Sequence, residues 1–170
     1  MSHKEKKGEE YYEIVKEKLA ELFKEKGVKI YLEITARGKF SNKLKSKIPS
    51  GREIIFLFLK RLAPDITGFV EGCSLPGFVV AEVKRGKIEL DDIYQLKKYA
   101  DLFEARFAFL VSLEPIPEEI KRLLKVTFLI SKLKGGSIYH AFVLTRFDKD
   151  RDEFTEWFEE NPFLQSVYWG

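Results

Sequence analysis

The sequence predicts an α/β chain in which a mixed β-sheet is flanked by helices. Three observations lead there. Apolar residues recur at three- and four-residue spacing over two long segments, they alternate or run together over several short ones, and glycine- or proline-bearing turns separate the segments. The resulting order is helix, three strands, helix, strand, followed by a mixed C-terminal extension. At 170 residues the chain is long enough to bury a substantial core, and one domain over 1–170 is expected.

The first helix is predicted over 8–26, where Tyr12, Val15, Leu19, Leu22 and Phe23 share a face and Gly27 supplies the C-cap. Residues 28–36 alternate enough, through Ile30, Leu32 and Ile34, to form a strand, and the large β-formers of 54–59 read as a second one. The run 66–70 then leads through the turn "EGCSLPG" into 78–83, the most apolar strand and the expected centre of the sheet. A helix follows over 90–103, capped by Asp91 or Asp92, with Ile93, Leu96, Tyr99, Ala100 and Phe103 on one face. Residues 106–112 form the next strand. Beyond it the pattern gives a proline-opened helix "PEEIKRLL", a turn at Gly135-Gly136, a strand over 137–145 and a short helix over 153–160. The aromatic tail "NPFLQSVYWG" needs a surface to pack on, either its own core or a second subunit.

Composition narrows the function classes. Charged residues are 34% and hydrophobic ones 45% of the chain, the balance of a globular protein with a strongly ionised surface. No apolar run approaches a membrane span, and "MSHKEKKGEE" lacks the apolar core of a signal peptide, so a cytoplasmic protein with no membrane partner is expected. Cys73 is the only cysteine and His3 and His140 the only histidines, which excludes an internal disulfide, a cysteine-held zinc and a histidine cage. Any metal would be held by oxygen. The amides number only four, Asn42, Asn161, Gln95 and Gln165, against abundant Lys and Glu, a bias of thermophilic proteins.

The net charge of +3 permits a polyanionic partner, and its distribution is uneven. The linker "RGKFSNKLKSKIPSGR" carries Arg37, Lys39, Lys43, Lys45, Lys47 and Arg52 without an acid. It is either a solvated loop or an arm that contacts phosphates, and the two are compatible.

The chemistry concentrates where the apolar strand ends. Phe78, Val80, Glu82 and Lys84 share a face by strand parity, so a carboxylate and an ammonium continue an apolar row. Asp65 closes the segment before 66–70 and can come within a few ångströms of Glu82. Two such carboxylates repel unless a cation lies between them, and hard oxygen ligands suit Mg²⁺ or Mn²⁺.

In order and spacing, Pro64-Asp65 followed by Glu82-Val83-Lys84 resembles the PD-(D/E)XK nuclease superfamily, whose restriction-endonuclease-like core runs helix, three strands, helix, strand. The resemblance implies that Asp65, Glu82 and the main-chain carbonyl of Val83 hold Mg²⁺ or Mn²⁺, and that Lys84 activates or orients the attacking water. Gln95 and Tyr99 in "YQLKKYADLF" are similar to the Q-x-x-x-Y element of RecB-like members, which supports the site and the substrate strand. In archaeal Holliday-junction resolvases an acid of the first helix follows a K-G-x-x-x pattern; here "KGEEYYE" offers Glu9, Glu10 and Glu13. The fourth residue after Gly8 is Tyr12, so the register departs from the pattern. Glu13 is favoured as catalytic and metal ligand, with Glu9 second. The resemblance covers roughly 8–112.

The function this implies is metal-dependent hydrolysis of DNA phosphodiester bonds, with Arg85 and Lys87 and the linker's Lys39, Lys43, Lys45 and Lys47 on the phosphates. A homodimer is expected if both strands of a duplex are cut. The alternative from another class is a catalytically inactive nucleic-acid-binding module with the nuclease fold, which the displaced first-helix acid favours. A third, a protein-interaction scaffold, fits the acid-free linker less well.

Overall fold

The computed structural model describes residues 9–169; Gly8, where the first helix was expected to begin, and His3 lie outside them. Among the described residues the elements are α1 (Glu9–Glu25), β1 (Lys29–Ile34), α2 (Asn42–Lys45), α3 (Ile55–Phe58), β2 (Ile66–Glu71) and β3 (Gly77–Lys84). They continue as α4 (Leu90–Phe103), β4 (Phe107–Ser112), α5 (Glu118–Val126), α6 (Leu129–Leu133), β5 (Ala141–Asp148) and β6 (Glu153–Trp157), with two short 3-10 turns at the end. The six strands form one mixed, open sheet in chain order. β1, β2 and β3 are antiparallel neighbours, β3, β4 and β5 are parallel, and β6 returns antiparallel to β5.

The sheet is covered on both faces, which is why its parallel strands read as continuous apolar runs. On one face Phe78 and Val80 of β3 and Ala108 and Leu110 of β4 pack against Ile93, Leu96, Tyr99 and Phe103 of α4 and against Ile120 and Leu124 of α5. The segment between β1 and β2 lies on this face too, through Leu44, Ile48, Ile55 and Leu59. On the other face Val15, Leu19 and Phe23 of α1 meet Val79, Ala81, Phe107 and Phe109. The aromatic tail joins this second layer: Phe163 and Trp169 lie edge-on to Phe23, with ring centroids 5.0 and 5.8 Å away. The tail therefore packs on the chain's own core. Gly27 ends α1 with φ +75°, a left-handed conformation in which a Cβ is costly.

Four expectations are corrected. Residues 54–59 are not a strand: Ile55–Phe58 form one helical turn that sends Ile55 and Leu59, four apart, into the core. A continuous apolar run carries no period by which strand and helix could be told apart. Residues 153–160 are not a helix, because 153–157 pair with β5 as the edge strand β6. The strand expected over 137–145 begins only at Ala141, after turn residues, and runs to Asp148. Finally, the N-cap of α4 is Glu89, and Asp92 closes the capping box by accepting the Glu89 N–H at 2.8 Å.

Candidate functional site

The antiparallel register of β2 and β3 sets Ile66 opposite Ala81. One step further along the ladder Asp65 stands opposite Glu82, and directly opposed residues project from the same face. The two carboxylates are tied to each other's strands. Glu82 Oε1 accepts the Asp65 N–H at 3.0 Å, and Asp65 Oδ2 accepts the Val83 N–H at 2.8 Å. The N–H and C=O of one strand residue point to the same side, so the Val83 carbonyl also faces the Asp65 edge. From β1's end, Thr35 N–H donates to the Asp65 carbonyl at 2.9 Å and its hydroxyl to the Pro64 carbonyl at 2.6 Å. The backbone before β2 is thus fixed from outside.

Burial dominates the electrostatics. Asp65 is 8% exposed, and loss of water pushes its carboxyl up to about 6, against the opposing effects of the Val83 N–H and the Tyr12 hydroxyl. Glu82 is raised well above the usual carboxylate range by burial and then by the charge of Asp65. Tyr12 of α1 and Tyr99 of α4 flank the pair. Both phenols are shifted upward, first by burial and next by Asp65 for Tyr12 and by Glu82 for Tyr99. Gln95 Nε2 donates to the Tyr99 hydroxyl at 3.0 Å, one helical turn away.

Lys84 leaves the same face as Glu82, and its ammonium lies 3.2 Å from Asp92 Oδ2 and 3.3 Å from Oδ1. Asp92 is fixed in turn by the capping box, so one carboxylate both starts α4 and holds the lysine. Arg85 lies over the Tyr11 ring at 5.4 Å. Lys87 is exposed.

The structure therefore brings together Asp65, Glu82, Val83, Lys84 and, from α4, Gln95 and Tyr99. It does not bring Glu13 to them. Glu13 is exposed and pairs with Lys16 at 2.6 Å, because each helical residue turns by about 100° and the phase that aims Tyr12 at Asp65 carries its neighbour away. Glu9 pairs instead with Arg37 at 2.7 Å. Among the described residues no group of three or more His, Cys, Asp or Glu side chains gathers as a metal cage, and Asp65 and Glu82 stand as a pair.

The basic linker is less bare than its sequence suggests. Lys47 pairs with Glu71 at 2.8 Å, Arg52 with Glu104 at 2.7 Å and Arg37 with Glu9. Lys43 and Lys45 lie over the rings of Tyr31 and Phe56, at 4.0 and 5.6 Å. Lys39, Lys43 and Lys45 have no carboxylate partner among the described residues, so the free charge gathers in 39–45.

No protein-family model, curated protein or solved structure matches the chain. The site has to be read from its own geometry. Three of its residues escaped the sequence reading: Tyr12, Asp92 and Thr35. The signal for Asp92 was present in Glu89-x-x-Asp92, a capping box whose closing residue stands eight past the lysine it binds; for Thr35 and Tyr12 only the fold supplies it.

Proposed function

We propose that the chain is a metal-dependent deoxyribonuclease that hydrolyses phosphodiester bonds at Asp65, Glu82 and Lys84. The observation that carries this is the opposed pair: two carboxylates, locked to each other's strands and raised in pKa by burial, gain most from a cation placed between them. The donor set fits a hard divalent ion. Asp65, Glu82 and the Val83 carbonyl would hold Mg²⁺ or Mn²⁺, leaving sites for water and substrate oxygens. When bound, the ion supplies Lewis-acid polarisation of a phosphoryl oxygen and neutralises charge on it.

The remaining work belongs to the chain. Lys84 brings a positive charge two residues beyond Glu82, where it orients the water that attacks phosphorus and stabilises the charge that develops on the phosphoryl oxygens. Asp92 holds that ammonium in place. Tyr12 and Tyr99 close the flanks of the pair, and the order helix, three strands, helix, strand from α1 to β4, with the short α2 and α3 set between β1 and β2, supports the reading.

One observation favours a second reading, a binding module without catalysis: a phenol, Tyr12, stands where a first-helix acid was expected. The test is cleavage of labelled duplex, single-stranded and branched DNA with Mg²⁺, Mn²⁺ or EDTA by the wild type, Asp65→Ala and Lys84→Ala. Metal-dependent cutting lost in both variants is expected. Salt-sensitive binding with no cutting, unchanged by Asp65→Ala, would establish the binding module.

A further inference from the structure

The segment that leads into Asp65 carries an apolar surface that the carboxylate site does not use. Of residues 54–62, only Ile55 and Leu59 are buried. Ile54, Leu57, Phe58 and Leu62 are 55%, 59%, 70% and 46% exposed; the first three share the outer side of the α3 turn, and Leu62 follows in the bend that leads to Asp65. Lys60 and Arg61 are exposed beside them, and 54–64 contains no acid. Scattered exposed hydrophobics need no explanation, but four on one short knuckle do.

The knuckle is held rigidly near the site. Phe56 packs on Phe40 with ring centroids 4.9 Å apart, and Arg52 anchors the start of the segment to the Leu102 carbonyl at 2.7 Å. Gly38 presses against its far end so closely that a Cβ there would meet the Lys60 carbonyl oxygen at 2.3 Å. Only Ala63 and Pro64, both buried, separate Leu62 from Asp65, a reach of about 10 Å at most.

We infer that this knuckle is a base-contacting surface: unpaired nucleotides next to the bond in the carboxylate site stack on Phe58 and Leu57, while Lys60 and Arg61 take their phosphates. The inference rests on the nuclease reading and deepens it by naming the substrate class, DNA with unpaired bases beside the cut. Charge selects this occupant over a second copy of the chain, because a two-fold contact through the knuckle would set Lys60 and Arg61 of one copy against those of the other. Exposed Phe, Leu and Ile are the side chains that insert between or stack on bases, and a flanking pair of cations without acids is what a phosphate backbone requires.

The experiment measures binding in EDTA, so that cutting plays no part, using a fluorescein-labelled single-stranded oligonucleotide and the same oligonucleotide with abasic sites throughout its centre. The wild type is expected to bind the normal strand about tenfold tighter than the abasic one. Leu57→Ser/Phe58→Ser should erase that difference, whereas Lys60→Glu/Arg61→Glu should weaken both strands together. All four positions are exposed, and unchanged melting temperatures will show that the variants fold. Equal affinity of the wild type for the two strands overturns the inference. So does an apolar variant that binds both strands like the wild type while losing a homodimer or losing adsorption to phosphatidylglycerol vesicles. Base-dependent binding without metal-dependent cutting would keep the surface and remove the nuclease reading, which separates the two failures.

Discussion

Asp65 and Glu82 hold each other's strands: the Asp65 N–H donates to the Glu82 carboxylate at 3.0 Å, while the Asp65 carboxylate accepts the N–H of Val83 at 2.8 Å. The arrangement places two acceptors side by side for reasons of backbone order, yet both lose water in doing so. A pair that is well positioned and poorly solvated is stable only when a proton or a cation shares it.

Stability of the metal-free protein should therefore fall as pH rises. Asp65 titrates at about 6 in the folded chain against an ordinary value of 3.8, so between these values the folded state binds more protons than the unfolded one. Its contribution is complete below the lower value and lost as pH passes the upper one, on the order of 3 kcal/mol from this group. Thermal melts in EDTA from acid to neutral pH should show the decline, and Mg²⁺ should reverse it at neutral pH. Asp65→Asn retains an acceptor for the Val83 N–H without the charge, and should melt several degrees higher than the wild type at pH 8 while losing cleavage. A wild-type profile indifferent to both pH and Mg²⁺ would count against the paired-carboxylate account.

Asp92 acts through Lys84. Asp92→Asn keeps an acceptor for the capping box but removes the charge that holds the ammonium, so cleavage should fall about tenfold or more while the melting temperature stays close to the wild type's. Asp92→Ala loses the cap as well, at a further cost of about 1 kcal/mol. Cleavage by Asp92→Asn at the wild-type rate would show that Asp92 only caps the helix.

The first helix separates two acids from one phenol. Glu13→Ala should leave cleavage unchanged and alter stability by less than about 0.5 kcal/mol, as an exposed helical pair does. Tyr12→Phe removes a hydroxyl that stabilises ionised Asp65, so Mg²⁺ should bind several-fold more weakly by calorimetry. The reverse pattern, a sensitive Glu13 and a silent Tyr12, would restore the family-like acid.

What the sequence made legible follows the strength of its periodicities. The face of α4 could be listed residue by residue because Ile93, Leu96, Tyr99 and Phe103 stand at helical spacing among charged neighbours. Asp65 and Glu82 could be paired because strand parity is rigid and the connecting turn is short. Residues 54–59 offered six apolar side chains in a row, and the fold fully buries only Ile55 and Leu59, half-buries Phe56 against Phe40 and leaves the rest exposed, an outcome set by contacts made across a loop. Tyr12 was hidden for a different reason. A phenol at a helix start reads as packing, and only the sheet that ends beside it turns its hydroxyl toward a carboxylate.

Salt dependence tests the linker's cations one by one. Lys39, without a carboxylate partner among the described residues, should contribute a phosphate contact, so Lys39→Ala should lower the slope of log affinity against log salt for single-stranded DNA by about 0.7. Lys47 already pairs with Glu71 at 2.8 Å, and Lys47→Ala should change the slope by less. Equal effects from both would mean that the ion pair opens on binding.

At the opposite end of β3 a single buried side chain closes the fold. Arg106 is 5% exposed and lies over the Phe107 ring at 5.0 Å. Its Nε donates to the Tyr139 carbonyl at 3.2 Å, Nη2 to the Tyr168 carbonyl at 3.1 Å and Nη1 to the Leu75 carbonyl. One planar guanidinium thus joins the β2–β3 turn, the approach to β5 and the C-terminal tail, all through backbone carbonyls. Arg106→Ala removes three charge-assisted hydrogen bonds at once and should destabilise the protein by about 3 kcal/mol or more. Arg106→Lys should recover less than half, because a compact ammonium cannot reach three points of a fork. Gly77→Ala should act in the same direction, since an added Cβ would meet Arg106 Cγ at 2.7 Å. Thermal melts give the ranking, and limited proteolysis should find the tail around Tyr168 cut first in Arg106→Ala. Because the Asp65 and Glu82 pair lies at the far end of the strand, metal binding measured well below the melting temperature should be unchanged. A melting temperature for Arg106→Ala equal to the wild type's would mean that the tail is held by its aromatic rings alone.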